Sequence, residues 1–173
     1  RLKGPKGTVV QVGIKRDGEK ELLLFDIVRD KIPIYSIDAS HMVDKSIGYI
    51  KVSRFAKTTM DEFQESILSL QGQGMKDLIL DLQGNGGGML RTAIAMSDEF
   101  LSGEKLIVYT EGRAFEREDT FAQSKGLFEK GRLVILIDEA SASASEIVSG
   151  AVQDWDRGMV IGRRSFGKGL VQR

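Results

Sequence analysis

Two apolar runs, each ending in small residues and each followed by a helix-like stretch, constrain this chain more than any other feature. "KDLILDL" (76–82) leads into "QGNGGGML", and "RLVILID" (132–138) leads into "EASASASE". Compact runs of this length and density read as buried strands. Thr92 to Phe100 after the first, and "SEIVSGAVQDW" after the second, read as helices, the latter with Ile147, Val148, Ala151, Val152 and Trp155 along one side. Strand, small-residue loop and helix, repeated, imply an α/β core whose functional groups collect in the short loops at strand ends.

The rest of the chain fits around that core. Thr8 to Arg16 and Glu21 to Val28 read as two strands around an Asp17-Gly18 turn, a hairpin that is marginal alone. "IPIYSID" and Ile47 to Val52 are further strands. A helix starts near "TTMDEF", with Thr59 and Glu62 at capping-box spacing and Phe63, Ile67, Leu68 and Leu70 as its apolar side. "EKLIVYTE" is a strand, Gly112 to Lys125 a long polar excursion with a helical turn, and "GMVIGR" and "LVQR" short terminal strands.

Composition excludes more than it assigns. With 173 residues, 41% of them hydrophobic, the chain can bury one substantial core. Its 25 basic and 25 acidic residues leave a formal net charge of +0, which favours neither nucleic acid nor an acidic membrane as partner. No cysteine is available for a disulfide, a thiolate nucleophile or a metal cluster, no ligand spacing suggests a metal, and no apolar run is long enough to span a membrane.

Three motifs invite chemistry. "GRRSFGKG" (162–169) has phosphate-loop spacing but carries Gly169 where magnesium ligation needs Ser or Thr, so that reading fails. In "DEASASASE", Ser143 with Glu146 has capping-box spacing. A serine there is either a helix cap or a nucleophile backed by helix N–H groups. A nucleophile needs a base, and the single histidine, His41, lies before the core with no motif around it. The remaining candidate is a lysine, which alone reads as an exposed, paired side chain and as a base only if its proton affinity is lowered. The glycines of "GNGGG" alone fit a flexible turn as well as a ligand loop.

"SASASEIVSGAVQDWDRGMVIGRRSFGKGLVQ", "LILDLQGNGGGML" and "SIGYIKVSRF" occur in the order found in the carboxy-terminal processing, or tail-specific, proteases, and nearly the whole chain resembles that family. The resemblance implies a ClpP/crotonase-like α/β core over 31–173, continuing beyond Arg173, preceded over 1–30 by the last strands of an incomplete PDZ-like domain. It implies a Ser-Lys dyad, with Ser143 as nucleophile, Lys168 as general base and Gln172 orienting the lysine. Ser141 and Ser145 are then local hydrogen-bonding residues. One backbone N–H of the Gly87 and Gly88 pair, which of the two being open, becomes an oxyanion donor together with that of Ala144, and Phe166 is expected to pack on the loop and exclude water from Lys168. Gln83 and Asp138 stand where family members often have arginine and asparagine.

The same resemblance implies an endopeptidase acting near unstructured carboxyl termini of proteins or peptides, in the periplasm or cell envelope, with no cofactor and no metal. It also implies that a chain ending so soon after Gln172 is weakly active. A non-catalytic peptide-binding scaffold and a crotonase-like acyl-thioester enzyme are the competing readings. The sequence leaves the cut site, the substrate and the oligomeric state open.

Overall fold

The structure is a computed structural model that describes residues 2–31 and 34–171, so Gln172 lies outside the described residues. It divides into two compact units, 1–34 and 35–173. The first holds a hairpin of β1 (Val9–Ile14) and β2 (Leu23–Val28), antiparallel with Val9 opposite Val28 and Ile14 opposite Leu23. Arg29 ties it together, its guanidinium donating to Leu2 O, Thr8 Oγ1 and Val9 O. Leu24, Phe25, Ile27 and Val28 remain exposed, as expected of a two-stranded sheet with little to pack on.

The second unit is built on a five-stranded sheet. Its strands are β3 (Ile37–Met42), β4 (Ile47–Val52), β5 (Asp77–Asp81), β8 (Leu133–Ile137) and β9 (Met159–Gly162), in the spatial order 3-4-5-8-9. β3 pairs antiparallel with β4; β4, β5, β8 and β9 run parallel. Three helices, α1 (Thr59–Gly72), α2 (Leu90–Asp98) and α3 (Ala144–Asp154), contribute to one core. Ile50, Val52, Leu78, Leu80, Leu133 and Ile135 from the sheet meet Phe63, Ile67 and Leu70 of α1, Met96 of α2 and Val148 and Val152 of α3, all buried. The period-2 alternation sends those strand residues to one face and Tyr49, Ile79, Val134 and Leu136, half-buried, to the other. Phe63 meets Phe100 edge to face at 5.9 Å, worth about 0.5–1.5 kcal/mol beyond burial.

Several expectations change. α1 begins one residue earlier in its cap than the Thr59 reading requires: Thr58 is the N-cap, and Glu62 takes hydrogen bonds from Thr58 Oγ1 and from the backbone N–H groups of Ser36 and Ile37. Thr59 is buried and donates to Ser36 Oγ at 2.6 Å. Leu68 is exposed, since residues 63, 67 and 70 already define the buried stripe. The Gly112 to Lys125 excursion is not helical. It contains β7 (Phe115–Phe121), which pairs antiparallel with β6 (Leu106–Gly112). That strand is nearly all charged outside its terminal phenylalanines, so its pairing partner, rather than its own hydrophobic pattern, makes it a strand. Residues 170 and 171 form no strand. Among the described residues no helix is long and apolar enough to cross a membrane.

The parallel arrangement matters for function. Loops leaving the carboxyl ends of β4, β5, β8 and β9 all emerge at the same edge of the sheet, where α/β sheets place their sites.

Candidate active site

Four of those loops are sewn to one another. After β4, Phe55 N donates to Gly87 O at 3.1 Å and Met89 N donates to Phe55 O at 2.8 Å, so the glycine loop after β5 runs as a short parallel bridge beside Phe55. After β8, Ser141 Oγ donates to Leu82 O at 2.8 Å, and Ala142 N and Ser145 Oγ both donate to Asn85 O. After β9, Phe166 N donates to Ser141 O at 3.0 Å. Ser141 and Ser145 are fully buried, which is the local hydrogen-bonding part expected of them.

Ser143 is different. It is half-buried, sits at the N-cap of α3, and has φ 56° and ψ −110°, a backbone conformation that a non-glycine residue rarely holds. The turn is forced from both sides. Ala142 and Ser145 are anchored to Asn85, and the Glu146 carboxylate reaches back to accept the Ser143 N–H at 2.8 Å. The cap position and a half-buried Ser143 side chain therefore coexist in one geometry, with the carboxylate of Glu146 serving the backbone of the cap.

The glycine loop lies against this turn. A Cβ on Gly87 would come within 2.6 Å of Ala142 O, 2.8 Å of Ser143 Cβ and 2.9 Å of Ala144 N, and Gly87 has φ 98°. Only glycine fits there on both counts. The two glycines differ in what their N–H groups do. Gly87 N donates to Asn85 Oδ1 at 2.8 Å, whereas the N–H groups of Gly88 and Ala144 have no hydrogen-bond partner among the described residues. Between the two candidate donors, Gly87 therefore meets a competing bond, and Gly88 is the free member of the pair.

The segment after β9 carries Lys168, which is exposed. Glu146 holds its backbone: Ser165 Oγ and Gly167 N donate to Oε1 at 2.8 and 2.6 Å, and Lys168 N donates to Oε2 at 3.0 Å. Burial works to raise the Glu146 pKa, but the hydrogen bonds from Ser165, Gly167, Ser143 and Lys168 outweigh it and hold the carboxyl below its usual range. Phe166 corrects an expectation: it is 69% exposed and does not cover the lysine. In this loop its backbone N–H is bonded to Ser141 O while its side chain meets solvent. His41 is exposed on edge strand β3, its ring tilted 40° against that of Tyr49 at 5.1 Å, away from this loop cluster.

Asp138 organises the turn after β8. Its carboxylate takes N–H bonds from Gly84, Ala140 and Ser141, and those bonds, the one from Gly84 foremost, lower its pKa against a contribution from burial. Two contributors escaped the sequence reading. Asn85 is fully buried and links Val52 O, Gly87 N, Ala142 N and Ser145 Oγ. An asparagine set among glycines was its one visible signal. Glu146 showed only its capping-box spacing.

The residues the sequence singled out thus fall into one loop cluster, except Gln172, outside the described residues. A family model described as peptidase family S41 matches residues 46–173. The chain is 39% identical over 178 residues to a carboxy-terminal-processing protease of Bartonella bacilliformis, covering 99% of this chain and 40% of that protein. It is 37% identical over 171 residues to the carboxy-terminal processing protease CtpA of Bacillus subtilis, covering 99% of this chain and 36% of that one. In solved structures it is similar to a photosystem II D1 C-terminal processing protease, with TM-score 0.72 and 26% identity over 98% of this chain and 47% of that chain. The chain thus spans well under half the length of these curated relatives.

Proposed function

The chain belongs to peptidase family S41, and from that premise we propose that it forms part of a serine endopeptidase in which Ser143 is the nucleophile and Lys168 the general base. The observation that carries the reading is the backbone of Ser143: a non-glycine residue at φ 56°, at a helix N-cap, with Gly87 packed against it. Strain of about 1–3 kcal/mol persists where surrounding structure over-determines it, and such residues cluster at active sites, ligand clamps and switch regions.

In the proposed reaction, the Lys168 amine takes the Ser143 proton as Oγ attacks the scissile carbonyl carbon. The carbonyl π electrons move to oxygen, and that oxyanion is received by the N–H groups of Gly88 and Ala144, with Gly87 allowing the close approach. Donors fixed before the reaction need no reorganisation as charge develops. The lysine then passes its proton to the leaving amine as the C–N bond breaks. Water, deprotonated by the same amine, attacks the acyl-serine; the C–Oγ bond breaks as the lysine returns that proton to Oγ, which frees the new carboxyl terminus and restores Ser143. Gln172 orients the lysine in this scheme.

Substrates in this reading are proteins or peptides with unstructured carboxyl termini, and the hairpin of residues 1–30 is the end of a peptide-binding PDZ-like module. The compartment is the periplasm or cell envelope. All three extend the family resemblance to this chain.

The test is covalent labelling of the full-length protein with a serine-directed fluorophosphonate, alongside cleavage of an unstructured peptide. Wild type should label at Ser143 and cleave, while Ser143→Ala and Lys168→Ala should do neither. Cleavage by Lys168→Ala at the wild-type rate would remove the lysine as base. Peptide binding without labelling or cleavage by wild type would favour the scaffold.

A further inference from the structure

Glu146 accepts more hydrogen bonds than a helix cap uses. A capping box needs the carboxylate to take one N–H, that of the N-cap residue, and Glu146 does this with Ser143 at 2.8 Å. Its three other donors, Ser165 Oγ, Gly167 N and Lys168 N, come from 19, 21 and 22 residues further along the chain. Four donors on two oxygens fill the lone pairs of a carboxylate. The Ser143 and Lys168 N–H groups converge on the same atom, Oε2.

The segment they hold has little else. Residues 164–171 form no helix or strand, and Gly167, at φ 85°, sits where a Cβ would meet nothing within 4 Å. Phe166 N, bonded to Ser141 O, is the remaining hydrogen bond from residues 165–168 to the loop after β8 among the described residues. A lysine on such a segment can act on Ser143 only if its backbone is held.

Resting on the Ser143 and Lys168 reading, we propose that Glu146 is a positioning residue: its carboxylate latches the lysine segment to the nucleophile turn and so sets the approach of the lysine amine to the serine hydroxyl. A single anion suits this task because Oε2 accepts from both sides of the gap, from Ser143 N and Lys168 N, while Oε1 takes Ser165 Oγ and Gly167 N of the lysine segment. Glutamine replaces it poorly. The amide keeps one acceptor oxygen, and its NH2 faces either the Gly167 N–H or the Ser143 and Lys168 N–H groups, which can only donate; the Ser165 hydroxyl alone could turn to accept.

The experiment compares full-length wild type, Glu146→Gln, Ser165→Ala and Lys168→Ala. Three readouts are followed: fluorophosphonate labelling rate, kcat and KM for an unstructured peptide, and hydrogen exchange at the Gly167 and Lys168 amides against those of α3. Glu146→Gln should lower labelling and kcat by about 10- to 100-fold, the scale of an ångström-sized misplacement. KM should stay within about twofold, with faster exchange at Gly167 and Lys168 and unchanged exchange inside α3. A folded Glu146→Gln protein that labels at the wild-type rate, while Lys168→Ala stays unlabelled, overturns the latch and leaves the Ser-Lys reading standing. Wild-type labelling and cleavage by Lys168→Ala overturns both. If Glu146→Gln loses protection throughout α3, Ser165→Ala decides, because it removes one of the four donors. Slower labelling with faster exchange at Gly167 supports the latch; no change in either overturns it.

Discussion

Gly87 and Ser143 touch backbone to side chain: a Cβ placed on Gly87 would stand 2.8 Å from Ser143 Cβ and 2.6 Å from Ala142 O. The second neighbour is backbone, in a turn anchored to Asn85, and it cannot give way. Gly87→Ala should therefore cost about 1–3 kcal/mol from its positive φ alone, with a further loss from the clash. Fluorophosphonate labelling should fall by more than the stability loss explains, because the turn that carries Ser143 must move. Urea unfolding and labelling rates on the same preparation check this, and a Gly87→Ala protein that labels normally would contradict the packing.

The three serines of "SASAS" should separate in stability. Ser141 and Ser145 are buried and donate to Leu82 O and Asn85 O, so either one changed to alanine leaves buried acceptors short and should cost about 1–3 kcal/mol. Ser143→Gly should instead stabilise by about 1 kcal/mol by relieving the left-handed backbone, while abolishing labelling. Thermal unfolding of the three variants gives the order directly.

Asp138 makes part of the acid sensitivity. Its folded pKa lies below the ordinary 3.8, chiefly because Gly84 N–H donates to it. A carboxyl lowered on folding contributes stability that is fully present above its unfolded pKa and lost as pH falls through the folded value. Asp138→Asn keeps an acceptor oxygen but cannot titrate, so its stability should fall less steeply below about pH 4 than that of wild type. Denaturant midpoints across that range, with identical slopes in both proteins, would refute the assignment.

Arg157 is a structural cation. Its guanidinium donates to Phe100 O, Gly131 O and Phe128 O and lies over the Phe128 ring, closing three loop carbonyls with one planar fork. Burial lowers its pKa. Arg157→Lys offers one compact ammonium for three separated carbonyls and should cost about 2 kcal/mol, with little change in labelling rate once the protein is folded. Denaturant unfolding and labelling together distinguish this from a role in the site.

The legible parts of the fold were those with a dense local signal. Ile47 to Val52 matches β4 end for end, and the runs at 76–82 and 132–138 contain β5 and β8. β7 was not legible: "FEREDTF" has no buried face, and its strand state depends on pairing with β6. The Thr59 cap reading failed because Ser36 and Ile37, far earlier in the chain, compete successfully for Glu62. Phe166 was expected to pack on the lysine loop and exclude water from Lys168, but its side chain meets solvent.

By itself the sequence determined the α/β order, the glycine and serine loops that follow β5 and β8, and, through the order of its motifs, the family. Those properties are local: they depend on residue type, spacing and succession along the chain. The tertiary structure alone decided which of three equivalent-looking serines is left with a strained backbone and which two are consumed by buried hydrogen bonds. It also decided which glycine N–H has no partner among the described residues, and that Glu146 serves a segment about twenty residues downstream as well as its own helix. Each of those outcomes depends on parallel strands bringing distant loops to one sheet edge, where donors and acceptors compete for partners that no local pattern reveals.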